Sequence, residues 1–170
     1  MTPTILRYSA FTTDPDGGNP AGVVLDARGL GDDAMQRIAA EVGYSETAFL
    51  SPRADGDLDV RYFSPLAEVS FCGHATIAAM VAQARAHGPG DVVLHTQAGR
   101  VPVTVDAGFA ATLTSVPPRT APIDAADLDA LLATLGWQHD ELDPALPPGL
   151  CSLPASAKRL HLCLGHPGGA

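Results

Sequence analysis

Glu46 is the one carboxylate in Tyr44-Ser45-Glu46-Thr47-Ala48-Phe49-Leu50, a stretch that is otherwise apolar or hydroxyl-bearing. Two readings fit it. On its own, such an acid is a strand-end side chain that faces water. Partly desolvated, it becomes a general acid/base group, because burial disfavours the charged form and lets a carboxyl both take and return a proton. A second cluster, Cys72-Gly73-His74, stands directly before the helix-forming run Ala75-Thr76-Ile77-Ala78-Ala79-Met80-Val81-Ala82. The first N–H groups of a helix lack intrahelical partners and favour anions. Gly73 lets a ligand approach the backbone closely. His74 either satisfies local backbone, donates to a substrate carboxylate or assists proton transfer. Cys72 reads as a packing residue or as a thiol whose pKa the helix N-terminus lowers. A zinc site on Cys72 and His74 is not expected, since no second ligand pair stands nearby at suitable spacing. Asn19, in Gly18-Asn19-Pro20-Ala21-Gly22, sits in a turn where it either touches a ligand or holds the loop. His87, His95, His139, His161 and His166 show no partner pattern and read as surface or loop residues.

The elements that must position these groups are legible from periodicity. Ile5 to Phe11 and Ala21 to Leu25 read as strands around a turn rich in Asp, Gly and Pro. Met35, Ile38, Ala39 and Val42 recur with helical spacing, with Asp32 or Asp33 as cap and Gly43 as stop. Tyr44 to Leu50 and Leu58 to Phe63 read as strands. A second helix runs from about Gly73 to His87 and is small or apolar nearly all round, so it is expected to be enclosed, with Ile77, Met80 and Val81 buried. A curved sheet wrapped around it would enclose it. Asp91–Thr96, Val101–Val105 and Phe109–Val116 read as an antiparallel meander. A third helix begins near Asp124 to Asp127, carries Leu128, Leu131, Leu132 and Leu135, and ends at Gly136. The chain beyond Trp137 reads as loop.

The chain has 170 residues, 46% of them hydrophobic, a globular composition. Its formal net charge is −9, and no Lys/Arg cluster is present, which argues against nucleic acid and against acidic membrane surfaces as partners. A small molecule, or another subunit, is the expected partner. Three cysteines in so long a chain do not read as a disulfide framework. With no signal peptide or membrane span legible, a cytoplasmic location is expected.

Gly18-Asn19-Pro20-Ala21-Gly22-Val23-Val24, then Tyr44 to Leu50, then Arg61-Tyr62-Phe63-Ser64-Pro65 leading into Glu68 to Thr76, resemble in order and spacing the N-terminal half of the phenazine-biosynthesis-like (PhzF-type) isomerases. The resemblance runs from about Tyr8 to about Arg119. It implies an α+β fold, that of diaminopimelate epimerase, in which each of two halves wraps a curved, mostly antiparallel, barrel-like sheet around a central helix. The cleft between the halves holds the site. The resemblance implies that Glu46 moves the proton, that Asn19, Gly73 and His74 bind a small carboxylate-bearing substrate, and that no redox or metal cofactor is needed. In amino-acid epimerases of this fold a cysteine just before the glycine at this helix start is one of two acid/base thiols. Cys72 stands at a similar place, whereas His74 stands where those enzymes have asparagine.

The expected organisation is a half-barrel domain over 1–120, a helix and linker over 121–150, and the start of a second half over 151–170, with Lys158 to Gly165 as its first strand. Nothing in the chain matches the glycine-rich segment that completes the family's site. A fragment, a prematurely ended reading frame or a half-protein that pairs into a homodimer would each account for this. The alternatives to a glutamate-based isomerase are therefore a thiol-based epimerase or racemase using Cys72, and a non-catalytic half-domain.

Overall fold

The computed structural model describes residues 3–14, 16–115, 117, 119–152 and 161–163, with 151–152 and 161–163 described in their backbone only. The chain divides into two units, Met1–Val116 and Pro117–Ala170. The first holds β1 (Leu6–Ala10), β2 (Asn19–Val24), α1 (Asp32–Val42), β3 (Thr47–Pro52), β4 (Leu58–Phe63), β5 (Glu68–Val69), α2 (Gly73–His87), β6 (Gly90–Thr96), β7 (Gly99–Val105) and β8 (Ala111–Leu113). Its eight strands form one sheet in the order β1-β2-β3-β4-β6-β7-β8, with β5 on β4. Most neighbours are antiparallel. The two parallel junctions, β2 with β3 and β4 with β6, need crossovers, which α1 and α2 supply.

Each crossover helix covers its own face of the sheet. α1 buries Met35, Ala39 and Val42, and a core of Val24, Ala27, Met35, Ala39, Phe49 and Phe63 forms beneath it. Phe49 and Phe63 meet edge to face, ring centroids 5.6 Å apart. Gly22 is required there, since a Cβ at this position would lie 2.6 Å from Thr47 Oγ1 and 3.1 Å from Val42 Cγ1. The cap expected from Asp32 or Asp33 is instead Gly31, and both acids lie in the first turn. That placement suits the positive end of the helix dipole. It also frees Asp32 to receive Arg61 Nη1 at 2.7 Å.

α2 packs against β1, β2, β3, β7 and β8, so the sheet curls around it. Its buried residues are mostly alanine, which lets the strands come close from several sides. The enclosure is incomplete. Met80 is buried, but Ile77 and Val81 are only partly so. Together with Arg85 they line a groove of about 870 Å³ that also includes Tyr8, Phe11 and Phe109. The cause is tertiary: β1 and β8 are the two ends of the sheet and do not pair, which leaves a seam along one side of the helix.

The second unit carries β9 (Arg119–Pro122), α3 (Ala125–Leu135), a 3-10 turn (His139–Glu141), β10 (Gly149–Ser152) and β11 (His161–Cys163). Asp124 caps α3 by accepting the Asp127 N–H at 2.9 Å. The segment read as loop beyond Trp137 contains β10, the central strand of the sheet β11-β10-β9. Of the strand expected over Lys158 to Gly165, only His161–Cys163 lies within the described residues, and it is strand.

Candidate active site

Strand alternation aims Glu46. Thr47 and Phe49 face α1, as the close approach of Thr47 to Gly22 and the Phe49 core contacts show. Side chains alternate along an extended chain, so Glu46 and Ala48 turn to the α2 side. Glu46 precedes β3 but already belongs to the parallel ladder, because its carbonyl accepts the Gly22 N–H at 3.1 Å. On that side it meets the start of α2. His74 Nε2 stands 3.5 Å from Glu46 Oε2, with both side chains mostly covered. The same Nε2 lies 3.3 Å from Ser45 Oγ, and His74 Nδ1 lies 3.2 Å from Cys72 Sγ. A thiol that donates to Nδ1 leaves the ring proton on Nε2, on the side of Ser45 Oγ and the Glu46 carboxylate, which orders the groups from Cys72 through His74 to Glu46.

The floor under this chain is fixed by buried hydroxyls. Cys72 is the residue that caps α2, and no side chain caps the helix. Its carbonyl accepts both the Thr76 N–H at 3.0 Å and the Thr76 hydroxyl at 2.7 Å. With its proton given to Cys72, Thr76 Oγ1 accepts from the Tyr62 hydroxyl at 2.6 Å. Burial drives the Tyr62 pKa well above its ordinary value. Arg61, next to it in β4, holds Glu68 in two bonds of 2.6 and 2.7 Å and lies 5.1 Å over the Phe63 ring. Arg61 thus ties β5, just before Cys72, to β4 and to α1, a structural duty for the Arg61 motif.

Gly73 opens the helix, and a Cβ built on it would meet nothing within 4 Å. There is therefore room above the first turn. Asn19 is exposed at the first position of β2, and among the described residues its side chain makes no hydrogen bond to Glu46, Cys72 or His74. Ser45, Tyr62 and Thr76 were not singled out from sequence. Ser45 adjoins Glu46 in the same motif and was the one open to notice.

Of the two readings of Cys72, burial favours the packing residue: the helix start does not lower the thiol. Burial, the largest influence, pushes it up from 9.0 to about 12; backbone N–H groups pull it down, and the nearby Glu46 carboxylate raises it further. The proton is therefore held more tightly in the folded chain than in the unfolded one. The stability this contributes is complete below about pH 9 and is lost as pH rises towards about 12. Iodoacetamide should accordingly modify Cys72 slowly at neutral pH, and Glu46→Gln, which removes one cause of the rise, should speed it. Peptide mass spectrometry separates Cys72 from Cys151 and Cys163, and an unchanged rate in the variant would contradict the coupling. Among the described residues no second ligand pair stands beside Cys72 and His74, but one further ligand does: Glu46, just before β3, and one donor atom from each of the three lies within 4.8 Å of the others.

A curled sheet around a helix, with acid/base groups gathered at the helix start, is the half-barrel of the epimerase-like folds. A family model described as phenazine biosynthesis-like protein matches residues 8–154, further than the Arg119 at which the sequence motifs fade. The chain belongs to the phenazine biosynthesis-like (PhzC-PhzF) family. It is 38% identical over 153 residues to the uncharacterized isomerase YddE of Escherichia coli, covering 86% of this chain and 52% of that protein. It is 37% identical over 149 residues to the uncharacterized isomerase YfhB of Bacillus subtilis, covering 84% of this chain and 50% of that protein. The chain thus spans about half the length of these relatives. Among solved structures, a predicted epimerase from Pseudomonas aeruginosa superposes with a TM-score of 0.79 at 25% identity, over 90% of this chain and 57% of the other. A PhzF-family protein from Bacillus anthracis gives 0.71 at 31%, over 93% and 54%. A hydroxyproline epimerase from Agrobacterium vitis, at 17% identity and a TM-score of 0.52, shares the fold alone.

Proposed function

We propose that this chain forms one half of the cleft of an isomerase that shifts a proton on a small carboxylate-bearing metabolite, with Glu46 as the proton-moving group. The observation that carries the reading is the Glu46–His74 contact at 3.5 Å, made at the open start of α2. A carboxylate beside a ring N–H can take a proton from carbon and return it elsewhere on the same face, and a proton shift of this kind needs only such an acid/base pair. His74 steadies the carboxylate. The first-turn N–H groups of α2 and the space over Gly73 suit the substrate carboxylate. The relatives' names, two isomerases and a predicted epimerase, support the same reaction class. The remainder of the cleft comes from a second half, of the kind that the relatives' greater length provides. Asn19 borders the cleft from β2.

The thiol-based reading keeps one supporting observation, the place of Cys72 in the same chain of contacts. The raised thiol pKa weighs against it, since a thiol must first become thiolate to serve as base. A carboxylate titration of the 15N-labelled chain tests the binding role. Small 2-substituted carboxylic acids should shift the amide resonances of Gly73, His74 and Ala75, and the uncharged amides of the same acids should not. Shifts confined to other parts of the chain would remove α2 as the carboxylate site.

A further inference from the structure

We propose that Glu46, Cys72 and His74 form a binding site for a soft divalent cation, Zn2+ being the best match. The site uses the same three side chains as the proposed proton shift but does not depend on that reaction. The donor set is one thiol, one imidazole nitrogen and one carboxylate oxygen, a mixture that suits zinc and disfavours magnesium or calcium, which take oxygen. One donor atom from each residue lies within 4.8 Å of the others, and Cys72 Sγ is 3.2 Å from His74 Nδ1. With zinc bonds of about 2.0–2.3 Å, tetrahedral geometry sets neighbouring ligands about 3.4–3.6 Å apart. The sulfur–nitrogen pair is already near that spacing; the Glu46 carboxylate, 3.5 Å from the other ring nitrogen, must turn toward Nδ1 to complete the set. Thiolate, carboxylate and neutral imidazole together carry the two negative charges that offset a divalent ion, so the charge is neutralised within a mostly covered site.

Three protein ligands leave one position for an outside group, the arrangement of an open rather than a closed zinc site. The free space over Gly73 adjoins the cluster and gives that group access. Support for the ligands is also present. The Cys72 carbonyl is held by Thr76, whose hydroxyl is in turn held by Tyr62, and Ser45 Oγ stands 3.3 Å from the His74 ring. An ion in this place would hold the atoms that a substrate proton must reach, so it would compete with substrate.

The test uses the 170-residue chain freed of metal with a chelator, with Co2+ and then Zn2+ as probes. One equivalent of Co2+ should produce sulfur-to-cobalt charge-transfer absorption with tetrahedral d–d bands, and one equivalent of Zn2+ should erase both. Cys72→Ser should abolish the charge-transfer band. Glu46→Gln and His74→Gln should each weaken binding by roughly tenfold or more. The double variant Cys151→Ser with Cys163→Ser should keep the full signal. A band that survives Cys72→Ser, or that is lost with Cys151 and Cys163, would overturn the proposal. Should Cys72→Ser fail to fold, the wild-type chain still decides it. Zn2+ must slow iodoacetamide modification of Cys72 in the peptide map, and an unprotected Cys72 would overturn the site. The carboxylate titration at Gly73 to Ala75 separates this result from the proposed function, because it is run without metal.

Discussion

Phe49→Ala will cost the first unit about 3–5 kcal/mol of its stability. Phe49 is 1% exposed and packs edge to face on Phe63 beneath α1. Truncating a buried phenylalanine costs about 3–5 kcal/mol, from lost transfer energy and from the cavity left behind. The aromatic pair adds about 0.5–1.5 kcal/mol beyond area burial. Domains of this size hold only about 5–15 kcal/mol in total. The neighbours are ill placed to collapse into the gap, because Phe49 lies in β3 between β2 and β4, whose backbones are fixed by their ladders. Urea unfolding should show the midpoint falling by roughly a third or more, with Phe49→Leu between the variant and the parent. A loss below about 1 kcal/mol would place the side chain outside the core. The effect reaches the site as well, since β3 carries the ladder that starts at Glu46.

That connection shows what could be read from the sequence and what could not. The helical spacing of Met35, Ala39 and Val42 and the short strands around them are local signals, and the structure places α1 and β4 where they indicate. The motif around Cys72-Gly73-His74 marked the start of α2 in the same way. The exposure of Ile77 and Val81 was not legible. A helix that is apolar all round says that it is covered, but the side left open is set by which two strands fail to pair. The choice between a packing Cys72 and an activated thiol was not legible for a related reason. The pull of the helix start is local and visible in sequence, whereas the larger effect, burial, comes from the surrounding fold. The Tyr62–Thr76 pair joins a strand to a helix through two hydroxyls, and neither residue type signals a partner by itself. β10 was hidden by its shortness and by Pro147-Pro148 just before it. The nearness of Glu46 to His74 is expected from the family resemblance and needs both parallel crossovers, which no local pattern reports.

Glu46→Gln will lower proton exchange by about 10²–10⁴-fold, the range for a lost general acid/base group. The upper end applies where one group serves as base and then as acid. Glutamine keeps the shape of glutamate and an oxygen that can face His74 Nε2, but it cannot cycle a proton. Binding should therefore persist, and carboxylate-induced amide shifts at Gly73 and Ala75 should remain. This split between binding and exchange distinguishes lost chemistry from lost fold. The assay needs a complete cleft, obtained by joining this chain to the second half of its Escherichia coli relative. Alone, the 170-residue chain should give no exchange above background.

The most direct measurement compares Glu46→Gln and Cys72→Ser in that completed protein, by following deuterium uptake from D2O at the substrate carbon. Glutamate as the proton-moving group predicts that Glu46→Gln loses uptake while Cys72→Ser stays within about tenfold of the parent, because serine preserves a hydroxyl donor to His74 Nδ1. Normal uptake in Glu46→Gln together with loss in Cys72→Ser would contradict it and would assign the chemistry to the thiol.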